Sequence, residues 1–436
     1  MKTAQLICTM AVMASLLPVP TARASQAPDG SGNAFSYNIR GLLFGEAQYP
    51  AHSSQNPDNA FLQLYRYSAE VDLRPDFFYD ADKVSVVFKP RFTSTYQWWK
   101  DGITKGEEDG LTRAFVNEWR IQAKPEDHLF FSFGKEKLLW GPSFLVSPSN
   151  ILFKDTEKTN PVTEVEGKYF AKAMYLPNAA ITITALVETQ KDDAPAQVND
   201  NPIRAVKMDW VGARAAVSMI GYVKRDDRFR LGSYGQVTAS DALLLYYDGI
   251  IMKGTDALYP VPDPTNPFGG SFERTYEHSG RIFATAVAGG AYTFLSGSTL
   301  NLEFLYNGQG YSDAEAEAYY HLRGQAGSHF FDGGLLSALS SRTLGQAMDT
   351  GLPFLRRYYL MGQYQVREIA SVLDISLRYT HGLEEHAGQA STILEWKVSD
   401  RAQIFNINMV AIDHGKETEF NAVLEKSFMA GVEIHF

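Results

Sequence analysis

Apolar and polar residues alternate with a period of two in many stretches of the chain. In residues 371–379, Leu373, Ile375 and Leu377 alternate with polar side chains, and residues 300–306 repeat the pattern. Successive side chains of a β-strand point to opposite faces, so the alternation predicts strands. A soluble β-sandwich also alternates, but many of these stretches reach about nine residues, the length with which a tilted strand crosses a bilayer. The pattern therefore favours an all-β fold of membrane-spanning strands.

Short turn sequences alternate along the chain with longer polar stretches. Turns are predicted at 80–82, 124–127, 177–179, 296–298 and 398–400, and long loops near 48–60, 100–111, 191–201, 252–278, 309–354, 380–390 and 413–419. This alternation is typical of an antiparallel transmembrane β-barrel with short periplasmic turns and long extracellular loops. Counting the strands between these connections predicts about 18, with about 16 as the alternative.

The N-terminus has the pattern of a secretory signal peptide. Residues 6–17 are mostly apolar, and Ala22-Arg23-Ala24 provides an A-x-A cleavage site. The apolar run is shorter than the roughly 20 residues that a membrane-spanning helix needs. We therefore predict that residues 1–24 are removed and that residues 25–436 form a single outer-membrane β-barrel domain.

Composition narrows the location and the partners. The net charge of −10 argues against the basic surface that nucleic-acid binding needs. The single cysteine, Cys8, lies within the predicted signal peptide, so no disulfide or thiolate metal site is expected in the exported chain. We expect the protein to lie in the outer membrane of a Gram-negative bacterium. Its expected partners are the lipid bilayer, lipopolysaccharide and the barrel-assembly machinery. Oligomeric state does not follow from the sequence.

The last strand alternates up to an aromatic C-terminus. A C-terminal strand that ends in Phe resembles the signal by which outer-membrane barrels are recognised for insertion. We expect Phe428, Val432, Ile434 and Phe436 to form this assembly signal. Aromatic residues near predicted strand ends, among them Tyr67, Tyr358 and Tyr359, are expected in the interfacial girdles.

Charged residues of both signs fall on the predicted inner faces of the strands. Because such charges are costly in lipid, they must face water or one another. We therefore expect them to line a channel, although an ion-paired filling of a closed barrel is the alternative. The candidate channel-lining residues are Arg66, Glu70, Asp72, Arg74, Lys89, Arg91, Glu118, Arg120, Asp374, Arg378, Glu395 and Lys397. Replacing Arg66 and Arg91 with Ala is expected to change ion selectivity and to leave stability nearly intact.

A search for catalytic or metal chemistry gives no candidate. Residues 141–145 fail the G-x-S-x-G pattern of a nucleophile elbow at its last position. His381 and His386, with Glu384 and Glu385 between them, lie in a predicted loop that cannot aim both rings at one ion. No catalytic residue, metal or cofactor is therefore predicted.

One segment has a distinctive motif, Trp140-Gly141-Pro142, within residues 134–150. It resembles segments in outer-membrane barrels of porin-like families and of surface-polysaccharide export or assembly families, and the resemblance implies no single family. Physically, Gly141 and Pro142 end the preceding strand and turn the chain, inward in one interpretation, with Trp140 as an anchor. A plain interfacial tryptophan beside a loop is the alternative.

The longest predicted loop, residues 307–354, carries too many apolar residues to stay disordered. Ser312 to Glu315 matches a capping box, so a helix is predicted from there to Gly324, with a second one over 334–344. We expect this loop to narrow the channel or cover its mouth; the alternative is a helical cap packed on the outer rim that closes nothing.

The predicted function is passive passage of small hydrophilic solutes or saccharides. The alternative is a barrel for the assembly or export of a capsule or exopolysaccharide, and an outer-membrane hydrolase is a third and disfavoured possibility.

Overall fold

A computed structural model describes residues 34–154, 157–189, 202–224, 228–413 and 415–436. The predicted signal peptide, residues 1–24, lies outside these ranges and stays a prediction.

The described chain forms twenty strands and two α-helices. The strands are β1 Ala34–Pro50, β2 Tyr67–Asp80, β3 Val84–Trp98, β4 Glu108–Glu126, β5 Leu129–Glu136, β6 Lys168–Asn178, β7 Ile181–Glu188, β8 Arg204–Val211, β9 Ala215–Val223, β10 Phe229–Thr238, β11 Leu243–Lys253, β12 Tyr259–Pro262, β13 Gly270–Glu273, β14 Ile282–Thr293, β15 Thr299–Asn307, β16 Tyr358–Ile369, β17 Leu373–Gly382, β18 Ala387–Ser399, β19 Ala402–Ile412 and β20 Leu424–His435. The helices are α1 Asp313–Ser328 and α2 Gly334–Met348, and a short 3₁₀ turn covers Pro57–Asn59.

Eighteen of the strands form one closed antiparallel barrel. Each strand pairs with the next along the chain, and β1 pairs with both β2 and β20. Gly41, for example, faces Leu73 on one side and Ile434 on the other. Closure pairs every strand edge. A sheet in lipid requires this, because unpaired backbone groups find no water there. The predicted fold class and the count of 18 are confirmed, and β12 and β13 form a separate hairpin.

Short turns gather at the end of the barrel that also holds both ends of the described chain, and most connections at the other end are longer. This is the predicted alternation, and we name the turn end periplasmic and the loop end extracellular, as in outer-membrane barrels. The long loop predicted near 380–390 is wrong, since only residues 383–386 join β17 to β18. One long connection was missed in the prediction. The described residues between β5 and β6, 137–154 and 157–167, lie outside the barrel sheet.

The outer face of the barrel is apolar. Phe88 and Phe92 on β3 and Trp396 and Val398 on β18 are exposed, whereas Lys89, Arg91 and Lys397 alternate with them on the opposite face. Tyr67 and Tyr358 are exposed near the extracellular ends, as expected of girdle residues. The same expectation for Tyr359 is wrong. Tyr359 follows the lipid-facing Tyr358 in β16, so its ring points to the interior, where it is fully buried.

No helix among the described residues is long and apolar enough to span a membrane.

The two helices and the hairpin β12–β13 form a compact cap with its own core, built around Tyr259, Phe268, Phe272, Tyr311, Tyr319, Leu322 and Leu344. The capping box is confirmed, since Ser312 and Glu315 exchange hydrogen bonds between side chain and backbone. The predicted end at Gly324 is wrong. The helix continues to Ser328, because it packs along that stretch and Gly327 lies against the backbone of Ser54.

The cap bridges the extracellular mouth. Gln55 Nε2 in the loop after β1 donates to Leu344 O of α2 at 2.9 Å, and Leu258 N in the loop after β11 donates to Thr350 O at 2.8 Å. Strands β15–β20 separate these two loops on one side and β3–β10 on the other, so the loops lie nearly opposite each other. Residues 307–354 therefore cover the mouth, one of the two roles predicted for them.

Candidate functional site

The described residues between β5 and β6, 137–154 and 157–167, are called the inward segment below, and they cross the barrel interior. The segment leaves the barrel after Glu136 and returns at Lys168, which are paired neighbours on β5 and β6. Gly141 begins the turn with a φ of +94°, and a Cβ at this position would overlap Asp248 Oδ2 and Ser147 Oγ. Glycine is required there both for its backbone conformation and for the close approach. The interpretation of Gly141 and Pro142 as an inward turn is confirmed.

Trp140 is an interior anchor and not an interfacial residue. Its Nε1 donates to Ser149 O at 3.4 Å, and its ring packs with Leu138 and Leu139 against strands β6 to β10. Leu152 and Phe153, later in the segment, complete this apolar contact.

Glu303 on β15 holds the turn of the segment. Its carboxylate accepts hydrogen bonds from Ser143 Oγ at 3.0 Å, Phe144 N at 2.6 Å and Leu145 N at 2.8 Å. Tyr246 Oη on β11 adds a fourth at 2.8 Å. Glu303 is only 2% exposed, and a buried carboxylate of this kind needs such donors to offset its lost hydration.

Asp248 on β11 is a second acidic anchor, fully buried beside the first. It accepts from Ser147 Oγ at 2.6 Å and from Ser149 N at 2.8 Å. Lys158 supplies the opposite charge within the segment, and its Nζ donates to Ser143 O at 2.6 Å. Burial lowers the pKa of Lys158, and the charges of Glu303 and Asp248 oppose that effect.

The other end of the segment binds the opposite side of the barrel through Glu164. Arg91 on β3 forms a bidentate ion pair with this carboxylate, in which Nε donates to Oε2 at 2.5 Å and Nη2 donates to Oε1 at 2.8 Å. Burial alone would raise the pKa of Glu164, but the hydrogen bonds and charge of Arg91, helped by Arg74 and Lys137, lower it to about 2. Arg74 also donates to Val162 O at 2.7 Å.

Apolar contacts show that the segment reaches across the whole lumen. Val162 packs against Leu42 on β1 and against Phe405 and Ile407 on β19, which face the cluster around Trp140 from the other side. The middle of the segment reaches the wall below the cap, where Leu145 and Val146 pack against the buried cluster of Val287, Leu305 and Tyr359. Phe354 and Phe420, from the extracellular loops, pack against the same cluster. The element that narrows the interior is therefore the inward segment, and the cap lies over it.

The predicted channel-lining residues all have polar partners. The closest contacts are Arg66–Asp101 at 3.0 Å, Glu70–Thr95 at 2.9 Å, Asp72–Arg74 at 2.7 Å, Lys89–Glu118 at 2.9 Å, Arg91–Glu164 at 2.5 Å, Arg120–Glu136 at 3.6 Å, Asp374–Lys397 at 3.7 Å, Arg378–Gln363 at 2.6 Å and Glu395–Gln403 at 2.9 Å. Arg74, Arg91 and Arg378 contact the inward segment, whereas Arg66 pairs at the extracellular rim. Channel lining remains a prediction for all twelve residues.

Arg91 departs from what was expected of it. It is 1% exposed and also pairs with the buried Asp76 at 2.9 Å, so its removal would leave Asp76 without an ion-pair partner and Glu164 with only the longer contacts to Arg40, Arg74 and Lys137. Such a loss typically costs about 3–5 kcal/mol. The expectation that Arg91→Ala leaves stability nearly intact conflicts with this burial, and only Arg66 keeps it.

Sequence reasoning did not select Glu303, Asp248, Glu164 or Lys158. A signal existed for the first two, since each is the only acidic residue of its strand and lies on the inner face. No comparable signal exists for Glu164 and Lys158, whose partners come from distant strands.

The predicted assembly residues share the lipid-facing side of β20. Phe428 and Ile434 are exposed there, and Phe436 N donates to Ile39 O at 2.9 Å across the closing seam. Their role in insertion stays a prediction.

His381 at the end of β17 and the glutamates of the turn after it have different partners. Glu384 accepts from Arg357 N at 2.7 Å, Glu385 accepts from Tyr320 Oη at 2.5 Å, and His381 Nδ1 lies 3.1 Å from Tyr379 Oη. Within the described ranges, no group of three or more acidic, histidine or cysteine residues is arranged to hold a metal ion.

Solved structures with the same architecture are outer-membrane barrels. The chain is similar to OccK7 (OpdD) of Pseudomonas aeruginosa, with 12% identity, a TM-score of 0.51, and coverage of 93% of this chain and 98% of that one. For OccAB1 of Acinetobacter baumannii the identity is 12%, the TM-score 0.51 and the coverage 91% and 96%. Wzi of Escherichia coli, a carbohydrate-binding β-barrel involved in group 1 capsule assembly, is also similar. Its identity is 10% and its TM-score 0.51, and the match covers 91% of this chain and 84% of that one.

No model of a known protein family matches the sequence, and no curated protein matches it. The likeness to solved structures, at these identities, establishes the fold alone. The chain therefore has the fold of an 18-stranded Gram-negative outer-membrane β-barrel, and its apolar outer face agrees with the predicted location.

Proposed function

We propose that the protein is an outer-membrane channel for small hydrophilic solutes or saccharides, in which the inward segment sets the width of the passage. The observation that carries this proposal is the attachment of one segment to opposite sides of the lumen, through Glu303 and Asp248 at one end and Glu164 at the other. A barrel of about 18 strands is too wide for its strand side chains to fill. The space beside such a crossing segment, lined by charged groups, suits hydrated solutes.

The interior charges are paired, and this affects what can pass. Partly exposed pairs such as Lys89–Glu118 at 2.9 Å, and Arg40 with Glu433 at 3.6 Å, can exchange partners with a passing solute at modest cost. Fully buried pairs such as Arg74–Asp72 hold the segment in place and are less available. We therefore propose selection by size first and by charge second.

A second candidate function is the retention of a surface saccharide during capsule or exopolysaccharide assembly. The observation that favours it is the ordered cap over the mouth, since a simple channel has no need of a covered entrance. The likeness in fold to Wzi, a carbohydrate-binding barrel, agrees with this candidate. In both candidates the bilayer, lipopolysaccharide and the barrel-assembly machinery are the expected partners. We assign no catalytic residue.

Liposome swelling separates the two candidates. Proteoliposomes carrying the full chain are diluted into isotonic solutions of neutral sugars of graded size. The channel proposal predicts swelling that is rapid with a pentose and falls steeply towards a trisaccharide. Swelling no faster than in empty liposomes for every sugar would contradict it and leave the surface-retention function.

A further inference from the structure

The extracellular half of β4 has an open strand edge. β4 pairs with β3 from Glu108 to Ala123, but β5 pairs with it only between Trp119 and Glu126. From Glu108 to Phe115, no strand among the described residues lies on the other side of β4, and each of these residues is exposed. We call residues 108–115 the free edge. It rises above the extracellular rim where β5 ends.

Alternate residues of the free edge direct their backbone groups to the open side. Trp98 O on β3 accepts from Arg66 N at 2.8 Å, so Trp98 bonds towards β2 and its partner Glu108 bonds away from β3. Because an antiparallel ladder alternates, Gly110, Thr112 and Ala114 also face the open side. A row of such backbone groups is a template on which a further strand can pair.

The side chains of the free edge are complementary to themselves. Asp109, Leu111 and Arg113 follow at intervals of two and share one face. Leu111 is 55% exposed, and Arg113 forms no ion pair with any other described residue. Charges on an edge strand normally discourage pairing, but these two have opposite signs and flank a leucine. If two copies lie antiparallel with Leu111 opposite Leu111, each Asp109 faces an Arg113.

The same register also aligns the backbone groups. Gly110 of one copy faces Thr112 of the other. Glu108 likewise faces Ala114. Each facing pair exchanges two hydrogen bonds, which gives about eight in all, once Gly110 N exchanges its present acceptor, Asp109 Oδ1 at 2.8 Å, for the partner strand. A shift by two residues in either direction would place Asp109 opposite an apolar side chain.

We infer that the free edge is a self-association surface, through which two copies of this chain join head to head as an antiparallel pair of β4 strands. β4 runs from the extracellular end towards the periplasmic end, so an antiparallel partner belongs to an inverted barrel. The contact therefore links barrels in two facing membranes, and neighbours in one membrane cannot form it. This inference is independent of the proposed function, because it requires no passage through the barrel.

The size of the contact predicts its strength. A single pair of short strands buries less surface than a stable protein–protein interface, so one contact is weak. Many copies on two facing surfaces act together, and their combined binding is much stronger than that of one pair. Association is therefore expected between membranes that carry many barrels, and a covalent trap is needed to detect one pair in detergent.

Disulfide trapping tests the register. Leu111→Cys places two thiols opposite each other at a pair that is not hydrogen-bonded, with Cα atoms about 4.5 Å apart, a separation that a disulfide can bridge. Ile103→Cys, in the loop between β3 and β4, is the matched control, because Ile103 is more exposed at 66% but lies outside the paired stretch. All variants carry Cys8→Ser, so the introduced thiol is the only one.

Mild oxidation of the purified barrel in detergent, followed by a non-reducing gel, measures the covalent dimer. Leu111→Cys should give at least tenfold more dimer than Ile103→Cys. Equal yields from the two variants, or no dimer from either, would overturn the inference and leave the free edge to a strand of another protein.

Charge reversal tests the pairing of Asp109 with Arg113 between membranes. Proteoliposomes that carry wild type should aggregate, as followed by light scattering, and Asp109→Arg should slow this at least tenfold by placing two cations opposite each other. The double variant Asp109→Arg, Arg113→Asp restores opposite charges and should restore aggregation. Heat modifiability on gels confirms that both variants are folded. Aggregation that is as fast in the single variant as in wild type, or a double variant that does not recover, would contradict the inference.

Discussion

Replacing Glu303 with Gln should release the turn of the inward segment while keeping the shape of the side chain. The carboxylate accepts two hydrogen bonds on each oxygen: Phe144 N and Tyr246 Oη on Oε1, and Ser143 Oγ and Leu145 N on Oε2. In glutamine, one of these oxygens becomes an NH₂ group. The hydroxyl facing it can rotate and accept, but the backbone N–H facing it cannot, so Phe144 N or Leu145 N loses its partner.

The magnitude follows from this count. A hydrogen bond to a charged group contributes about 1.5–3 kcal/mol, and an orphaned buried donor costs about as much. One lost bond and three weakened ones give about 3 kcal/mol, which corresponds to about a 100-fold rise in the population of the undocked segment.

Hydrogen exchange followed by mass spectrometry measures this population directly. Peptides covering residues 138–153 of Glu303→Gln should exchange about 100-fold faster than in wild type, while peptides from β1 to β4 keep their protection. Glu425→Gln, an exposed acid on β20, is the control. Unchanged exchange at Phe144 and Leu145 would show that Glu303 does not hold the segment.

Three further predictions concern other parts of the barrel. Arg91→Ala should lower the unfolding temperature by the equivalent of about 3–5 kcal/mol. Arg66→Ala should change it little, because Arg66 pairs with the exposed Asp101. Thermal melts in detergent measure the unfolding temperatures of both variants. Glu419 lies in the loop before β20, and loss of hydration together with the nearby Glu385 raises its pKa from 4.5 to about 8. The stability that protonation of Glu419 gives the cap is therefore complete below about pH 4.5 and is lost as the pH rises through 8. Limited proteolysis of the cap should therefore accelerate with pH in wild type and stay nearly flat in Glu419→Gln, and a wild-type rate independent of pH would refute the argument. Deleting Phe436 removes a seam contact with Ile39 and should lower the fraction of heat-modifiable, folded barrel in the outer membrane; an undiminished fraction would remove Phe436 from the assembly signal.

The barrel itself was predictable from the sequence for a physical reason. Every strand residue faces either lipid or the interior, so alternation persists through β17 and β20 whatever the tertiary partners are. The capping box of α1 was predictable because its two hydrogen bonds join residues three apart. Local features of this kind carry their own signal.

The site was predictable only in part. The Gly141-Pro142 turn could be recognised because glycine and proline restrict the backbone locally. The partners of the turned segment could not be recognised, since Ser143 and its partner Glu303 are 160 residues apart along the chain. Arg91 was correctly placed among the interior charges, but its partner Glu164 lies on a segment whose path only the tertiary structure defines.

The central claim is that the inward segment restricts a water-filled passage through the barrel. Glu136 and Lys168 face each other as paired residues, so residues 137–167 can be replaced with an Asn-Gly turn that joins β5 to β6 as a hairpin. Tyr306 and Tyr358 face each other in the same way, which allows a second variant that lacks only residues 307–357, including both helices of the cap. The decisive measurement is single-channel conductance in planar bilayers for wild type and both variants. We predict small, discrete steps for wild type, several-fold larger steps without the inward segment, and a smaller change without the cap. A wild type that shows no steps, together with a segment-deleted barrel that is folded and equally silent, would contradict the claim.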